Sequence, residues 1–337
     1  MMLQSNEIFI LSIESSCDDT SAAVLHNRRV VSNCVAGQKV HEKYGGVVPE
    51  LASRAHQQNI VAVVDVALKE AGIRPEQLTA IAYTNGPGLL GSLLVGTSFA
   101  KSMSLALNIP LLDVNHMQAH VSAHFIDNDP PFPFLCLTVS GGHTQIVRVT
   151  DYRTMEIIGQ TMDDAAGEAF DKGAKILGLP YPGGPLIDRY AKEGNKNRFT
   201  FPMPQPQGFD FSFSGIKTAF LYFIQKETKA NPEFIQQNLS DICASYQHHI
   251  VQYLLRVLLK AAESEGIRHL ALAGGVSANS YLRKEFKDLN NNGYHTYIPS
   301  FEYCTDNAAM IGIAGYYKFL AGDFASIDLS PYARGGF

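Results

Sequence analysis

Cysteine is scarce in this 337-residue chain and never closely spaced. Cys17, Cys34, Cys136, Cys243 and Cys304 are odd in number, scattered, and form no Cys-x-x-Cys pair. That excludes a disulfide framework and points to reduced thiols in a cytoplasmic protein. No apolar run reads as long enough to span a bilayer. The start, Met1-Met-Leu-Gln-Ser-Asn-Glu7, has neither the basic region nor the cleavage site of a signal peptide. A basic excess is also missing. With a net charge of −5 the chain is no generic polyanion binder, although a local basic patch or a partner subunit could hold nucleic acid.

What is present is apolar and alternating. Hydrophobic residues make up 46% and charged residues 18%, enough for a large core and two domains. Ile8 to Ile13 reads as a buried strand, broken by the acidic turn Glu14-Ser-Ser-Cys-Asp-Asp-Thr20 and resumed at Ser21 to Leu25. The arrangement recurs about 125 residues later as Phe134 to Val139, Ser140-Gly-Gly-His-Thr144 and Gln145 to Val149. Strand, tight polar loop and strand thus occur twice, which suggests two related halves. Between them lie a helix from Val48 to Ala71 stopped by Gly72, a strand Leu78 to Tyr83, and a glycine-rich turn opening a helix from Ser92 to Leu107. Pro202 to Phe213 reads as an irregular surface loop. A long helix from Ile235 to Glu265 leads to the strand His269 to Ala273. Alternating strands and helices imply an α/β class with mixed or parallel sheets.

Several loops carry candidate chemistry. Ala273-Gly-Gly-Val-Ser-Ala-Asn279 joins a strand to a helix, where glycines admit a ligand to the backbone and the helix start favours negative charge. Its spacing is neither G-x-G-x-x-G nor that of a P-loop. Asn279 suits a helix cap and a ligand hydroxyl equally. Ser140-Gly-Gly-His-Thr144 offers consecutive amides that suit a phosphate or an ordinary hairpin turn. Asp18 and Asp19 would repel a phosphate, but suit water, a metal or an amine. Asp164, Glu168, Asp171 and Lys172 fall on adjacent helical turns, followed by the rigid turn Tyr181-Pro-Gly-Gly-Pro185 and by Asp188.

His116 and His120 are the sharpest signal. They follow an apolar stretch, Ile109 to Val114, and precede residues with helical spacing to about Phe125. At i and i+4 both imidazoles share one helix face and could reach one ion. Taken alone, the pair reads as two surface histidines. Asp306, in Cys304-Thr-Asp-Asn307, reads alone as a cap for the helix Ala308 to Leu320. Beside the histidines it is the best third ligand. His124 lies roughly 12 Å of helix rise from His116, too far to share an ion easily, so Asp306 is favoured.

Taken in order, these motifs resemble one family. Glu14-Ser-Ser-Cys-Asp-Asp-Thr20, Gly45-Gly-Val-Val-Pro-Glu-Leu-Ala-Ser-Arg54, Gly86-Pro-Gly-Leu-Leu-Gly91, His116-x-x-x-His120, Val139-Ser-Gly-Gly-His-Thr144, Asp164-Ala-Ala-Gly-Glu-Ala-Phe-Asp171, Tyr181-Pro-Gly-Gly-Pro185, Phe211-Ser-Phe-Ser-Gly-Ile-Lys217, Ala273 to Asn279 and Cys304-Thr-Asp-Asn307 occur in register. Together they resemble the bacterial tRNA N6-adenosine threonylcarbamoyltransferases, the TsaD family, formerly called O-sialoglycoprotein endopeptidases. The resemblance runs from about Ile8 to Gly315.

It implies an actin/sugar-kinase/Hsp70-like (ASKHA) fold, two ribonuclease-H-like halves around a central cleft. The halves would be residues 1–115 with about 315–337, and residues 116–314. It implies transfer of threonylcarbamoyl from threonylcarbamoyl-AMP to N6 of the adenosine at position 37, next to the anticodon, in tRNAs reading ANN codons. His116, His120 and Asp306 would hold one divalent metal, Fe²⁺ by resemblance, with Zn²⁺ chemically reasonable. Thr138, Val139, Ser140, Gly141, Gly142, Asp171, Gly184, Asp188 and Asn279 would contact the adenylate. Asp18 is the candidate base that helps a poorly nucleophilic aromatic amine. The implied partners are tRNA, a paralogous TsaB-like dimerisation subunit, a TsaE-like P-loop ATPase and a separate enzyme making the adenylate, with no membrane.

Two rivals remain at this level. A metalloprotease is disfavoured because Met117 stands where H-E-x-x-H enzymes place their glutamate. An ASKHA ATPase or sugar kinase would use Mg²⁺ on phosphate and need no histidine pair.

Overall fold

The computed structural model describes residues 7–335, so the reading of the chain's first residues lies outside the described residues. It divides into two compact units. Unit 1 holds the residues up to Asp129, Asp151–Met155, and those from Pro299 onward; unit 2 holds Pro130–Thr150 and Glu156–Ile298.

Unit 1 opens as a meander of β1 (Phe9–Glu14), β2 (Thr20–His26) and β3 (Arg29–Ala36), with β2 antiparallel to both neighbours. Helix α1 (Pro49–Ala71) leads to β4 (Ala80–Gly86), parallel to β1. Helix α2 (Leu90–Leu107) leads to β5 (Leu111–Asn115), parallel to β4. The sheet order is β3-β2-β1-β4-β5. Two short helices follow, α3 (His116–Ser122) and α4 (His124–Asp127).

Unit 2 repeats the plan with β6 (Phe134–Val139), β7 (Thr144–Asp151) and β8 (Thr154–Gln160). Its helices are α5 (Ala166–Ile176), α6 (Gly183–Ala191), α7 (Ser214–Ala230), α8 (Phe234–Glu265) and α9 (Ser280–Asp288). β9 (His269–Ala273) lies parallel to β6 and β10 (His295–Tyr297) parallel to β9, giving the order β10-β9-β6-β7-β8. Each unit therefore places its first strand third and its two parallel crossovers on the same side of it. The duplicated hairpins in the sequence are the first two strands of each repeat. The chain then returns to unit 1 as α10 (Ala308–Leu320).

The division differs from boundaries at 115/116 and 314/315. β5 runs directly into α3, and α10 packs on β1, β2 and α3, so both segments belong to unit 1.

Period-2 alternation fixes what each face of β1 meets. Leu11 and Ile13, with Ala22 and Val24 of β2, pack against Ile60, Val63, Val64, Ala67 and Leu68 of α1. Each of the leucine, isoleucine and valine side chains contributes about 1.5–3 kcal/mol on burial. Ser12 points to the other face and donates to the Ala308 carbonyl of α10 at 2.7 Å. There α10 must approach closely: a Cβ on Gly312 would lie 2.2 Å from Leu25 Cδ1. Glycine leaves that approach open, where an added Cβ would displace the Leu25 and Ser12 side chains.

Two expectations change. α2 is by length and composition apolar enough to cross a membrane, against the reading that no such run exists. It packs on α1 and β4, as one apolar layer of unit 1. In Pro202 to Phe213, most residues are irregular, but Phe211 and Phe213 are fully buried in the unit 2 core beside Tyr253. Aromatic content there marked an anchor as well as a loop.

Candidate active site

His116 and His120 sit on α3, which Asn115 caps. Its Oδ1 accepts from Met117 N at 2.9 Å and Gln118 N at 3.0 Å. The helix places the two imidazoles edge to face, with ring centroids 4.7 Å apart. Asp306 joins them from the turn before α10: its Oδ1 lies 3.5 Å from His116 Nε2 and 3.2 Å from His120 Nε2. The capping role that Asp306 could have filled falls to Asn307, whose Oδ1 accepts from Met310 N at 3.1 Å. One donor atom from each of His116, His120 and Asp306 lies within 4.8 Å of the others. His124, on α4, is fully buried and is not part of this group.

The donor set fits a divalent cation. His120 is 1% exposed, and neither of its ring nitrogens makes a hydrogen bond despite the nearby Asp306 oxygen. Such buried polar atoms call for a partner, and an ion on Nε2 supplies it. Two imidazoles and a carboxylate suit a borderline transition-metal ion.

Glu14 is the residue that sequence reasoning passed over within its own motif. It ends β1 with 0% exposure, and receives Thr84 Oγ1 at 2.6 Å, His116 Nδ1 at 3.0 Å and the Ser16 amide. Ser16 Oγ lies 3.2 Å from the same His116 nitrogen. Burial alone would raise the Glu14 carboxyl, yet the His116 imidazole holds it below the usual carboxylate range. Burial likewise opposes charge on His116, but Glu14 and Asp306 push it up to about 9. Nδ1–H therefore donates to Glu14, and the Nε2 proton is the one a cation would replace. A carboxylate behind a ligating histidine fixes its tautomer and raises its basicity. The available signal was a lone charge ending a strand that is otherwise apolar.

The acid loop between β1 and β2 lies in the same unit. His56 of α1 clamps it, with Nε2 3.0 Å from the Cys17 carbonyl and Nδ1 2.8 Å from Thr20 Oγ1. Asp18 and Asp19 are half-buried. Burial, then Asp18, Asp306 and Glu14, push the Asp19 carboxyl up to about 7. Burial, with Asp18 and Asp306 next, also raises the Cys17 thiol, which stays protonated.

Gly86-x-Gly88-x-x-Gly91 carries the spacing of a dinucleotide fingerprint, follows β4 and opens α2. Here the glycines serve packing: a Cβ on Gly88 would lie 2.5 Å from the Ser16 carbonyl oxygen.

Unit 2 holds a separate cavity of about 300 Å³, lined by Gly141, Gly167, Phe170, Asp171, Pro182, Gly184, Pro185, Asp188, Gly275, Val276, Ala278 and Asn279. Gly141, Asp171, Gly184, Asp188 and Asn279 were singled out in the sequence. Ser140 and Gly142 flank Gly141 in the β6–β7 turn, while Thr138 and Val139 are buried within β6. Gly167 and Phe170, inside the Asp164–Asp171 motif, were given no role because they read as ordinary helix residues. Asp171 Oδ1 accepts from Gly183 N at 2.8 Å and Gly184 N at 3.1 Å. Burial raises its pKa although both amides oppose the shift. Asp188 holds the start of α9 through Ser280 Oγ at 2.8 Å. Asn279 proves to be the α9 cap, accepting from Leu282 N at 2.9 Å, while its Nδ2 donates to Gln247 at 2.7 Å.

A 62% identical relative from Christiangramia forsetii, named tRNA N6-adenosine threonylcarbamoyltransferase, aligns over 98% of this chain and 99% of its own. Proteins of the same name from Cytophaga hutchinsonii and Clostridium botulinum are 59% and 49% identical, over 98% and 96% of this chain and 97% and 96% of theirs. Among solved structures, full-length HypF in its phosphate- and nucleotide-bound form is similar at a TM-score of 0.65 and 13% identity. That match covers 94% of this chain and 47% of HypF. The activator of 2-hydroxyisocaproyl-CoA dehydratase from Clostridium difficile, with bound ADPNP, is similar at a TM-score of 0.50 and 13% identity, over 94% of this chain and 96% of its own. These two likenesses concern the fold alone, and the doubled mixed sheet agrees with an ASKHA-type α/β architecture. A model of the TsaD family, tRNA N6-adenosine threonylcarbamoyltransferase, matches residues 29–313, and with relatives of this identity over nearly the whole length the chain belongs to that family.

Proposed function

We propose that this transferase moves a threonylcarbamoyl group from threonylcarbamoyl-AMP to N6 of adenosine 37 in tRNAs reading ANN codons. The observation that carries the reading is the convergence of His116, His120 and Asp306 on one point, with both nitrogens of buried His120 lacking hydrogen bonds. In the reaction, adenosine N6 attacks the carbamoyl carbon and the carbon–oxygen bond to the AMP phosphate breaks. AMP leaves with the electron pair, and N6 gives up one proton. His116, His120 and Asp306 would hold a divalent ion, which we assign as Fe²⁺ with Zn²⁺ fitting the same donors, and it would supply Lewis-acid polarisation of the carbamoyl group. Glu14 orients His116, and Asp18 takes the N6 proton. Asp171, Asp188 and Asn279, with Gly184 and the Thr138–Gly142 segment, bind the nucleoside monophosphate part.

Glu14→Gln tests the orientation of His116. The amide keeps the shape but loses the charge behind His116, and metal affinity is expected to fall about 10–100-fold, the usual range for such supporting carboxylates. Equilibrium dialysis against a metal-buffered solution measures it, and unchanged affinity would remove Glu14 from the role.

Asp171→Asn tests the cavity. Asparagine keeps a side-chain oxygen for Gly183 N and Gly184 N, so the turn survives while the charge is lost. A charge-assisted bond to a substrate hydroxyl is expected to cost about tenfold in KM with little change in kcat. The assay is reconstituted transfer to tRNA with purified partners, read as modified adenosine by mass spectrometry. A variant with wild-type KM would move the nucleoside elsewhere, and an inactive wild-type system would overturn the functional reading itself.

We further assign a paralogous TsaB-like subunit, a TsaE-like P-loop ATPase and a separate adenylate-forming enzyme as partners in the cytoplasm. Val61 and Val66 of α1 and Leu90, Leu94 and Leu105 of α2 leave apolar side chains exposed on two helices that pack together, which supports a helical partner there. A net charge of −5 supports a tRNA site shared with such partners.

A further inference from the structure

After α10 the chain does not leave unit 1 but runs back along it. Ala325 N donates to the Leu111 carbonyl of β5 at 2.9 Å, and Lys101 Nζ of α2 donates to the Leu329 carbonyl at 2.7 Å. Tyr332 N then donates to the Asn85 carbonyl at 3.0 Å, and the Ala333 carbonyl accepts from Gly88 N at 3.3 Å. The strap therefore lies over the turn between β4 and α2. Gly86 is glycine for this reason: its φ is +147°, and a Cβ there would lie 2.3 Å from the Tyr332 carbonyl oxygen. The Tyr332 hydroxyl lies farther in, accepting from Asn115 Nδ2 at 2.8 Å.

That contact connects the strap to the ligands. Asn115 caps α3 with its Oδ1, and the next residue in the chain is His116. Gly88, held by the strap, packs on Ser16, and Leu89 N donates to the Ser16 carbonyl at 2.7 Å. Ser16 in turn touches both His116 and Glu14. Two short paths thus run from the adjacent tail residues Tyr332 and Ala333 to the same imidazole, one through the helix cap and one through the glycine turn. α3 is only seven residues long, too short to hold its own orientation by helix propagation.

We infer that Tyr332 is a positioning residue for the metal-holding helix, fixing the Asn115 cap and through it the aim of His116. The inference rests on reading His116, His120 and Asp306 as the metal set. The hydroxyl orients the Asn115 amide so that its oxygen faces the α3 amides. Without it, the Nδ2 end of the capping amide loses its tie to the strap, and the start of α3 holds His116 less tightly.

The test uses the purified full chain with Co²⁺ as the probe, following its ligand-field absorption during titration. Tyr332→Phe removes one oxygen, and losing one hydrogen bond is expected to raise the Co²⁺ Kd about fivefold. Asn115→Ser keeps a good cap but cannot reach Tyr332, and is expected to weaken binding similarly. The double variant is expected to bind no worse than Asn115→Ser alone, because both changes break one link. Wild-type affinity in Tyr332→Phe, or additive losses in the double variant, overturns the inference. His120→Ala separates the two readings: if it binds Co²⁺ like wild type, the metal assignment itself fails. If it loses Co²⁺ while Tyr332→Phe does not, only the role of Tyr332 falls.

Discussion

His120→Ala is expected to lose its bound metal and at least about a thousandfold of its transfer rate, with the protein still folded. Lewis-acid stabilisation contributes several kcal/mol to such a transition state, and about 4 kcal/mol is a thousandfold in rate. His120 shows the effect most cleanly because its imidazole has no other employment: it is buried and makes no hydrogen bond through either nitrogen. His116 and Asp306 remain as a two-ligand remnant. The measurements are metal content after gel filtration and modified adenosine by mass spectrometry. A His120→Ala protein that retains metal and turns over at the wild-type rate would sink the assignment. His124→Asn serves as the control one helical turn further on, and is expected to keep its metal.

Asp18→Asn is expected to slow transfer about 10²–10⁴-fold while the metal remains bound. An exocyclic aromatic amine becomes an effective nucleophile only as its proton departs, so losing the acceptor bears on kcat rather than on adenylate affinity. The loop geometry is preserved in the variant, since His56 holds Cys17 and Thr20 through groups other than Asp18. Asp19→Asn is the necessary companion. Burial and its acidic neighbours push Asp19 up to about 7, which suits a proton acceptor near neutral pH. If single-turnover rates collapse in Asp19→Asn and survive in Asp18→Asn, the base is the second carboxylate of the pair.

The sequence carried the fold because its strands are short, apolar and bounded by distinct turns. Gly72 ended its helix where expected, and the helix read to Glu265 ends there at Gly266, both glycines in left-handed conformation. The repeated hairpins disclosed a duplication because both copies kept a polar turn between buried strands. The site was legible where one element brings its residues together, as the i, i+4 histidines do. It was less so where chain-distant groups meet. Asp306 was plausible only beside the histidines. Glu14 was hidden because a charge that ends a buried strand has no periodicity to announce it. Asn115 was overlooked for the same reason: a cap is one residue, and its connection to Tyr332 is a tertiary fact. The apolar α2 was missed because serines, glycines and a threonine interrupt its leucines, so no unbroken apolar run announces its length.

Unit 1 is assembled from segments on either side of unit 2 in the chain, and this has a consequence for when its three grouped side chains can meet during synthesis. A ribosome makes His116 and His120 first, then the whole of unit 2, and only afterwards Asp306 and the strap that ends at Tyr332. Domains emerging from the ribosome generally fold as they appear, but here the first sheet waits for α10 to cover one of its faces. Until residue 306 has been made, the nascent chain holds His116 and His120 without Asp306. A product truncated before residue 306 would lack one of the three grouped side chains.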